Sequence, residues 1–230
     1  MDIDSILKAI IKDYTTGMGG SQTVARVARK IEAGTATYAD AEGLARECGQ
    51  ILRGAFREHL PDALTDGYMF REFAEVIIQQ PMIQSAKDVA RFAKRIQQLL
   101  NQNAGIGLNA IEPQINMDQI TGIITGICNA PFSDASLEFL DQVENFFLGQ
   151  VDDFVHDNAD FQYEAGLSPT IERRTSGRCC KWCDGLAGVY SYQSVRDRGS
   201  DVFKRHTNCK CQILYDPGGS KNRANAHRRA

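Results

Sequence analysis

Cysteine and histidine residues gather in two short segments near the end of this chain. The first is Cys180-Lys-Trp-Cys183, and after 22 intervening residues follows His206-Thr-Asn-Cys209-Lys-Cys211. A C-x-x-C turn brings two thiolates to one point, and a second ligand-rich turn supplies the other half of a tetrahedral site. The spacing therefore predicts a structural site for Zn²⁺ with five candidate ligands: Cys180, Cys183, His206, Cys209 and Cys211.

Five candidates compete for four places on such an ion, and the sequence leaves the choice open. Cys180 and Cys183 take two of the places. Cys209 and Cys211 lie two positions apart, so on a regular strand their side chains would point the same way but stand about 6.6 Å apart. Both could bind if the strand kinks, and otherwise one of them is a packed thiol, while His206 competes for the same places. Cys179 is expected to point elsewhere.

Other chemistries for the cysteines fit the sequence less well. A disulfide framework is typical of small secreted chains, and a redox C-x-x-C needs a βαβ context, which the pattern does not show. A catalytic metal would need an open coordination position and a nearby acid, for which Asp184 and Asp201 are the candidates.

Composition and charge restrict the class of protein. Hydrophobic residues make up 43% of the 230 residues and charged residues 24%, as in ordinary globular proteins. No apolar run approaches the roughly 20 residues of a membrane helix. The first residues, MDIDSILKAIIKDY, carry acids where a secretion signal carries basic residues, so we expect no targeting segment, no membrane association and a reducing compartment.

The net charge of −3 conceals a strong asymmetry along the chain. Residues 1–170 hold 13 Lys and Arg against 24 Asp and Glu, a net charge of −11, whereas residues 171–230 hold 13 against 5, a net charge of +8. Such a division indicates two parts with different partners, and a basic part suits nucleic acid or an acidic protein face. The candidate phosphate contacts are Lys204, Arg205, Lys210, Arg223, Arg228 and Arg229.

Apolar periodicity predicts a mainly α fold: a multi-helix N-terminal domain and a small C-terminal α+β module stabilised by zinc. Apolar residues recur with helical spacing through residues 1–165, and the longest helix is predicted from Ser133 to about Asn158. Asp152 and Asp153 on it are interpreted as a solvated face. Strands are predicted only at 189–192 and 209–215. The zinc module would span 166–215, followed by a basic, flexible tail at 216–230.

The C-terminal third resembles a known family. Its motifs are C-x-W-C-x-x-L-x-G-x-Y at 180–190, D-V-F-x-R-H-x-N-C-x-C at 201–211, and the Y-D-P-G that follows. They are similar to those of phage minor capsid or head-morphogenesis proteins, the relatives of the minor head protein F of phage Mu. The approach to the first motif, Tyr163-Glu-Ala-Gly-Leu-Ser-Pro and Ile171-Glu-Arg-Arg, is similar as well. The resemblance covers roughly residues 160–230.

The resemblance implies a structural virion component rather than an enzyme. Such a protein would be packaged in the phage head, would assemble with portal or major capsid proteins in the host cytoplasm, and would belong to a larger assembly. It also implies that the five cysteine and histidine positions form the metal-binding turns. Two other hypotheses stay open: a zinc module that contacts packaged viral DNA, and a metal-dependent hydrolase or nuclease.

Overall fold

Apolar residues with helical spacing form helices through most of the chain, as predicted. The computed structural model describes residues 2–175, 177, 179–206 and 209–218. Its first seven helices are α1 Ile3–Gly20, α2 Gln22–Glu32, α3 Tyr38–His59, α4 Arg71–Ala74, α5 Gln80–Asn103, α6 Met117–Cys128 and α7 Phe132–Glu164. A 3₁₀ turn, Leu60–Ala63, follows α3, and a π-helical turn, Glu75–Gln79, joins α4 to α5.

The longest helix, α7, continues beyond the predicted end near residue 158. It has 33 residues and ends at Glu164. Its last turns stay helical because they still bury side chains: Ala159 and Gln162 are 0% and 1% exposed. The helix stops where Gly166 takes a φ of 82°. The N–H of Leu167 then bonds to the carbonyl of Gln162 at 2.9 Å, which is a typical glycine C-cap.

Three short strands form one antiparallel sheet in the C-terminal part. They are β1 Thr170–Arg174, β2 Gly188–Ser191 and β3 Gln212–Asp216, in the order β2-β1-β3. The central strand β1 was missed by the sequence prediction. The predicted strand at 209–215 is shorter, since Cys209 and Cys211 precede β3 in a loop. Two further short helices, α8 Lys181–Gly185 and α9 Tyr192–Val195, lie between β1 and β3 in the chain.

Contacts divide the chain into two units. One contains residues 1–26, 43–89 and 114–150, and the other contains residues 27–42, 90–113 and 151–230. The second unit therefore combines the sheet with parts of the helical region, and the ranges 1–165 and 166–215 stay predictions. Among the described residues, no helix is long and apolar enough to span a bilayer.

Candidate metal centre

The second unit brings the five candidate ligands together. Their ligand atoms form two groups of three: Cys180, Cys183 and His206 in one, and Cys183, Cys209 and Cys211 in the other. Within each group all ligand atoms lie within 4.8 Å of one another, and Cys183 belongs to both. Side chains so grouped could hold a metal ion.

Backbone hydrogen bonds lie beside four of these residues. Cys180 caps the N-terminus of α8, where its carbonyl accepts a hydrogen bond from the N–H of Asp184 at 3.0 Å. In the second turn the carbonyl of His206 accepts a hydrogen bond from the N–H of Cys209 at 3.0 Å. The first turn brings Cys180 and Cys183 into one ligand group.

Three distances between the candidate ligand atoms are near those around a small tetrahedral ion. Nε2 of His206 lies 3.4 Å from Sγ of Cys180 and 3.1 Å from Sγ of Cys183. Sγ of Cys183 lies 3.8 Å from Sγ of Cys209. A tetrahedral zinc ion has Zn–S bonds of about 2.3 Å and Zn–N bonds of about 2.0 Å, which separate two sulfurs by about 3.8 Å and a sulfur from a nitrogen by about 3.5 Å.

Burial divides the cluster into an inner and an outer part. Cys183, Cys209 and Cys211 are at most 2% exposed, whereas Cys180 and His206 are exposed. Burial raises the pKa of the Cys183 thiol to about 12. Without a cation this sulfur would therefore keep its proton at neutral pH, and a bound metal would convert it to the thiolate.

The other residues considered for this centre take different places. Cys179, expected to point elsewhere, packs against the buried cysteines, and its Sγ lies 3.8 Å from Oδ1 of Asp184. Asp201 pairs with Lys204 at 2.7 Å. Neither Asp184 nor Asp201 belongs to the metal-ligand groups found among the described residues.

A buried arginine that the sequence did not indicate lies against the sulfurs. Arg173, in the central strand β1, is 1% exposed. Its Nη2 lies 3.7 Å from Sγ of Cys183 and 3.8 Å from Sγ of Cys209 and donates to both. Its Nη1 donates to backbone carbonyls of the loop that leads to His206, at 3.2, 2.6 and 2.8 Å. The carbonyls belong to Asp201, Val202 and Lys204.

Arg205, the neighbour of His206, is anchored in a buried ion-pair network. Its Nη2 lies 2.9 Å from Oε1 of Glu42 in α3 and 2.8 Å from Oδ1 of Asp152 in α7. Its Nη1 donates to the carbonyl of Cys211 at 2.7 Å. The side chains of Arg205, Glu42 and Asp152 are 7%, 3% and 6% exposed. The network fixes both ends of the loop that carries the candidate ligands.

This burial corrects two predictions from the sequence. Asp152 lies in the interior rather than on a solvated helix face, because it pairs with Arg205. Arg205 in turn is not on the surface, so its guanidinium is not available to phosphate. Lys204 and Lys210 are exposed. The remaining predicted phosphate contacts, Arg223, Arg228 and Arg229, lie outside the described residues.

Glu42 gives the network a pH dependence. Burial raises the pKa of its carboxyl from 4.5 to about 7, against the opposing effect of Arg205. Between these values the folded chain holds a proton that the unfolded chain releases, so rising pH favours unfolding. We expect the wild type to lose stability relative to Glu42→Gln across this range, by up to about 1.4 kcal/mol per pH unit.

Urea unfolding with zinc present, at several pH values across that range, measures this difference. The amide of Glu42→Gln can still accept hydrogen bonds from Arg205 and from the N–H of Ile213, as Glu42 does. Glu112→Gln, which alters a carboxyl that is 46% exposed, serves as the control. Unfolding curves of the wild type and Glu42→Gln that shift in parallel with pH would contradict the prediction.

Compared with known proteins, the chain matches no family model, no curated protein and no solved structure. The described residues establish a mainly helical fold with a small three-stranded sheet, and a cysteine and histidine cluster that could hold a metal ion.

Proposed function

We propose that this chain is a structural minor capsid protein of a phage head, whose C-terminal part is organised by one zinc ion. The observation that carries the proposal is the convergence of two motif segments, separated by 22 residues in the chain, in two ligand groups that share Cys183. The motif spacing is the feature that resembles the phage family. The cluster supplies a structural reason for that spacing, because the spaced residues meet in the fold.

We assign the four ligands to Cys180, Cys183, His206 and Cys209. Three of their mutual distances, 3.4, 3.1 and 3.8 Å, are near the edges of a zinc tetrahedron. Cys209 shares a ligand group with Cys183, which links it to the group of Cys180, Cys183 and His206. Cys211 then remains a buried thiol beside the site, and its role is structural, through the bond from Arg205 to its carbonyl.

Zinc is the metal that this ligand set favours. Thiolates and an imidazole are soft to intermediate ligands, and a tetrahedral arrangement of them is typical of structural zinc sites. Four protein ligands leave no open coordination position for substrate or water, which favours a structural centre over a hydrolase. A segment with a small apolar core obtains stability from such an ion.

Exchanging single cysteines separates the ligand sets. We expect Cys211→Ser to keep one zinc per chain, and Cys209→Ser to weaken zinc binding by at least tenfold, because only the latter removes a thiolate from the ion. In the cobalt-substituted protein, the thiolate-to-metal absorption of Cys211→Ser should equal that of the wild type. Loss of this intensity in Cys211→Ser, with no loss in Cys209→Ser, would contradict the assignment.

The proposed partners are the portal and major capsid proteins. The acidic residues 1–170 and the basic residues 171–230 suit contact with two different components of an assembly. The proposed setting is the host cytoplasm during assembly and then the virion. Contact with packaged DNA remains a second hypothesis. It rests on the basic residues at 171–230 other than Arg205, whose side chain is buried in ion pairs.

Purified virions of a phage that encodes this chain test the proposal. Quantitative mass spectrometry should find the chain in DNA-filled heads at a low, constant ratio to the major capsid protein, and cross-links should join it to portal or capsid protein. Its absence from heads, with normal abundance in the lysate, would contradict the proposal. Salt-sensitive DNA binding that is lost on deletion of 216–230 would instead favour the DNA hypothesis.

A further inference from the structure

We propose that Arg173 is the charge partner of the metal centre, donating hydrogen bonds to the thiolates of Cys183 and Cys209. The inference rests on the proposed zinc site and adds a residue to it. A divalent ion with three thiolates and a neutral imidazole carries a net charge of −1. The guanidinium of Arg173 brings the centre, whose inner sulfurs are buried, to electrical neutrality.

Burial of Arg173 demands an anion. An arginine side chain stays protonated in proteins, so a 1% exposed guanidinium is a permanent buried charge. Among the described residues, no carboxylate forms an ion pair with it within 4.0 Å, although exposed Arg174 next to it pairs with Glu172 at 2.9 Å. The groups that Nη2 reaches are the two sulfurs.

Neutral thiols would leave this charge without an anion in direct contact, since Asp152 acts on it only as a nearby charge with no ion pair between them. Thiols accept hydrogen bonds weakly, and a buried charge without a direct partner is strongly destabilising. Thiolates held by a divalent cation are strong acceptors, and hydrogen bonds to them are charge-assisted. The position of Arg173 is therefore explained by sulfurs that are anionic, as they are when a metal is bound.

Further contacts hold the guanidinium in place. Nη1 donates to three loop carbonyls, the shortest bond being 2.6 Å to Val202, and the ring centre of Trp182 lies 5.2 Å from Cζ. These contacts attach the loop before His206 to strand β1 and shield the sulfurs from water. Arg173 therefore both positions the second ligand turn and supplies charge.

Three variants separate the charge of Arg173 from its packing. Arg173→Gln removes the charge, Arg173→Lys retains it, and Arg174→Gln removes an exposed charge from the adjacent residue as a control. Zinc affinity is measured by chelator competition, and the pH midpoint of zinc release is measured by titration with a zinc-responsive dye.

We expect Arg173→Gln to lower zinc affinity by about 10–100-fold, as is common for residues that support metal ligands. The pH midpoint of zinc release should rise in this variant. Without the nearby positive charge the thiolates bind protons more tightly, so protons displace zinc at a higher pH. Arg173→Lys should release zinc at a pH close to that of the wild type, and Arg174→Gln should match the wild type. If Arg173→Gln fails to fold, the pH midpoint of zinc release in Arg173→Lys, compared with that of the wild type, decides whether the positive charge supports the site.

Two outcomes would overturn the inference. One is an Arg173→Gln variant that binds and releases zinc as the wild type does. The other is an Arg173→Lys variant whose pH midpoint rises well above that of the wild type, because the retained charge would then contribute nothing. A wild type that binds no zinc would overturn the proposed site as well, whereas the two outcomes above leave zinc binding by the wild type intact.

Discussion

Replacing Arg205 with methionine is expected to destabilise the protein by about 3–5 kcal/mol, because it leaves two buried carboxylates without their cation. Glu42 and Asp152 are 3% and 6% exposed, so water cannot replace the guanidinium. The carbonyl of Cys211 also loses the donor at 2.7 Å. The methionine fills much of the volume, so the loss reports charge rather than a cavity.

Arg198→Met provides the matched control. The Arg198 side chain is 63% exposed and pairs with Asp157 and Asp153 at the surface, where an ion pair contributes at most about 1 kcal/mol. Urea unfolding of both variants with zinc present gives the two free energies of unfolding. Equal losses in the two variants would contradict the buried network.

Replacing Cys183 with serine is expected to abolish stoichiometric zinc binding and to disorganise the cysteine turns. Cys183 belongs to both groups of candidate ligands, so its loss removes a thiolate whichever set holds the ion. Trp182 reports the change, since it is the single tryptophan of the chain and its ring centre lies 5.8 Å from that of His206. Its fluorescence should change on zinc removal in the wild type and should not respond to zinc in the variant.

Cys128→Ser is the control for the loss of a cysteine. Cys128 ends helix α6, in the other unit, and belongs to neither ligand group. This variant should bind one zinc per chain and give the fluorescence response of the wild type. A Cys183→Ser variant that retained stoichiometric zinc, measured by elemental analysis after dialysis, would contradict the proposed centre.

Features set by local sequence were predicted well. The helices follow from apolar spacing, because one buried stripe is enough to fix where a helix lies. The five candidate ligands were named from the spacing of cysteine and histidine in two short segments, and their assignment to a metal stays a prediction. Their convergence in one cluster then required only that the two turns meet, as Cys183 and His206 do at 3.1 Å.

Features set by distant partners were missed. Strand β1 places Arg173 in the interior beside Ile171, and a charged residue at an inward position does not stand out in an apolar pattern. The pairs of Arg205 with Glu42 and Asp152 join residues 163 and 53 positions apart. Nothing near Glu42 in the sequence distinguishes it from a surface acid.

These buried arginines also reduce the number of basic residues that the C-terminal part exposes to a partner. Arg173 and Arg205 are two of the 13 basic residues counted at 171–230, and both are used inside the protein. The exposed basic surface is therefore smaller than the sequence indicated. Any contact with nucleic acid depends on exposed residues such as Lys210 and on the residues after 218.

The metal content of the wild-type protein tests the central claim most directly. The protein should be purified without metal-chelating resins, dialysed against metal-free buffer and examined by elemental analysis together with native mass spectrometry. The account predicts one zinc ion per chain. After the metal is removed in acid without reductant, the chain mass should show no loss of hydrogens to a disulfide. A protein that carries no zinc and takes up none on titration would contradict it.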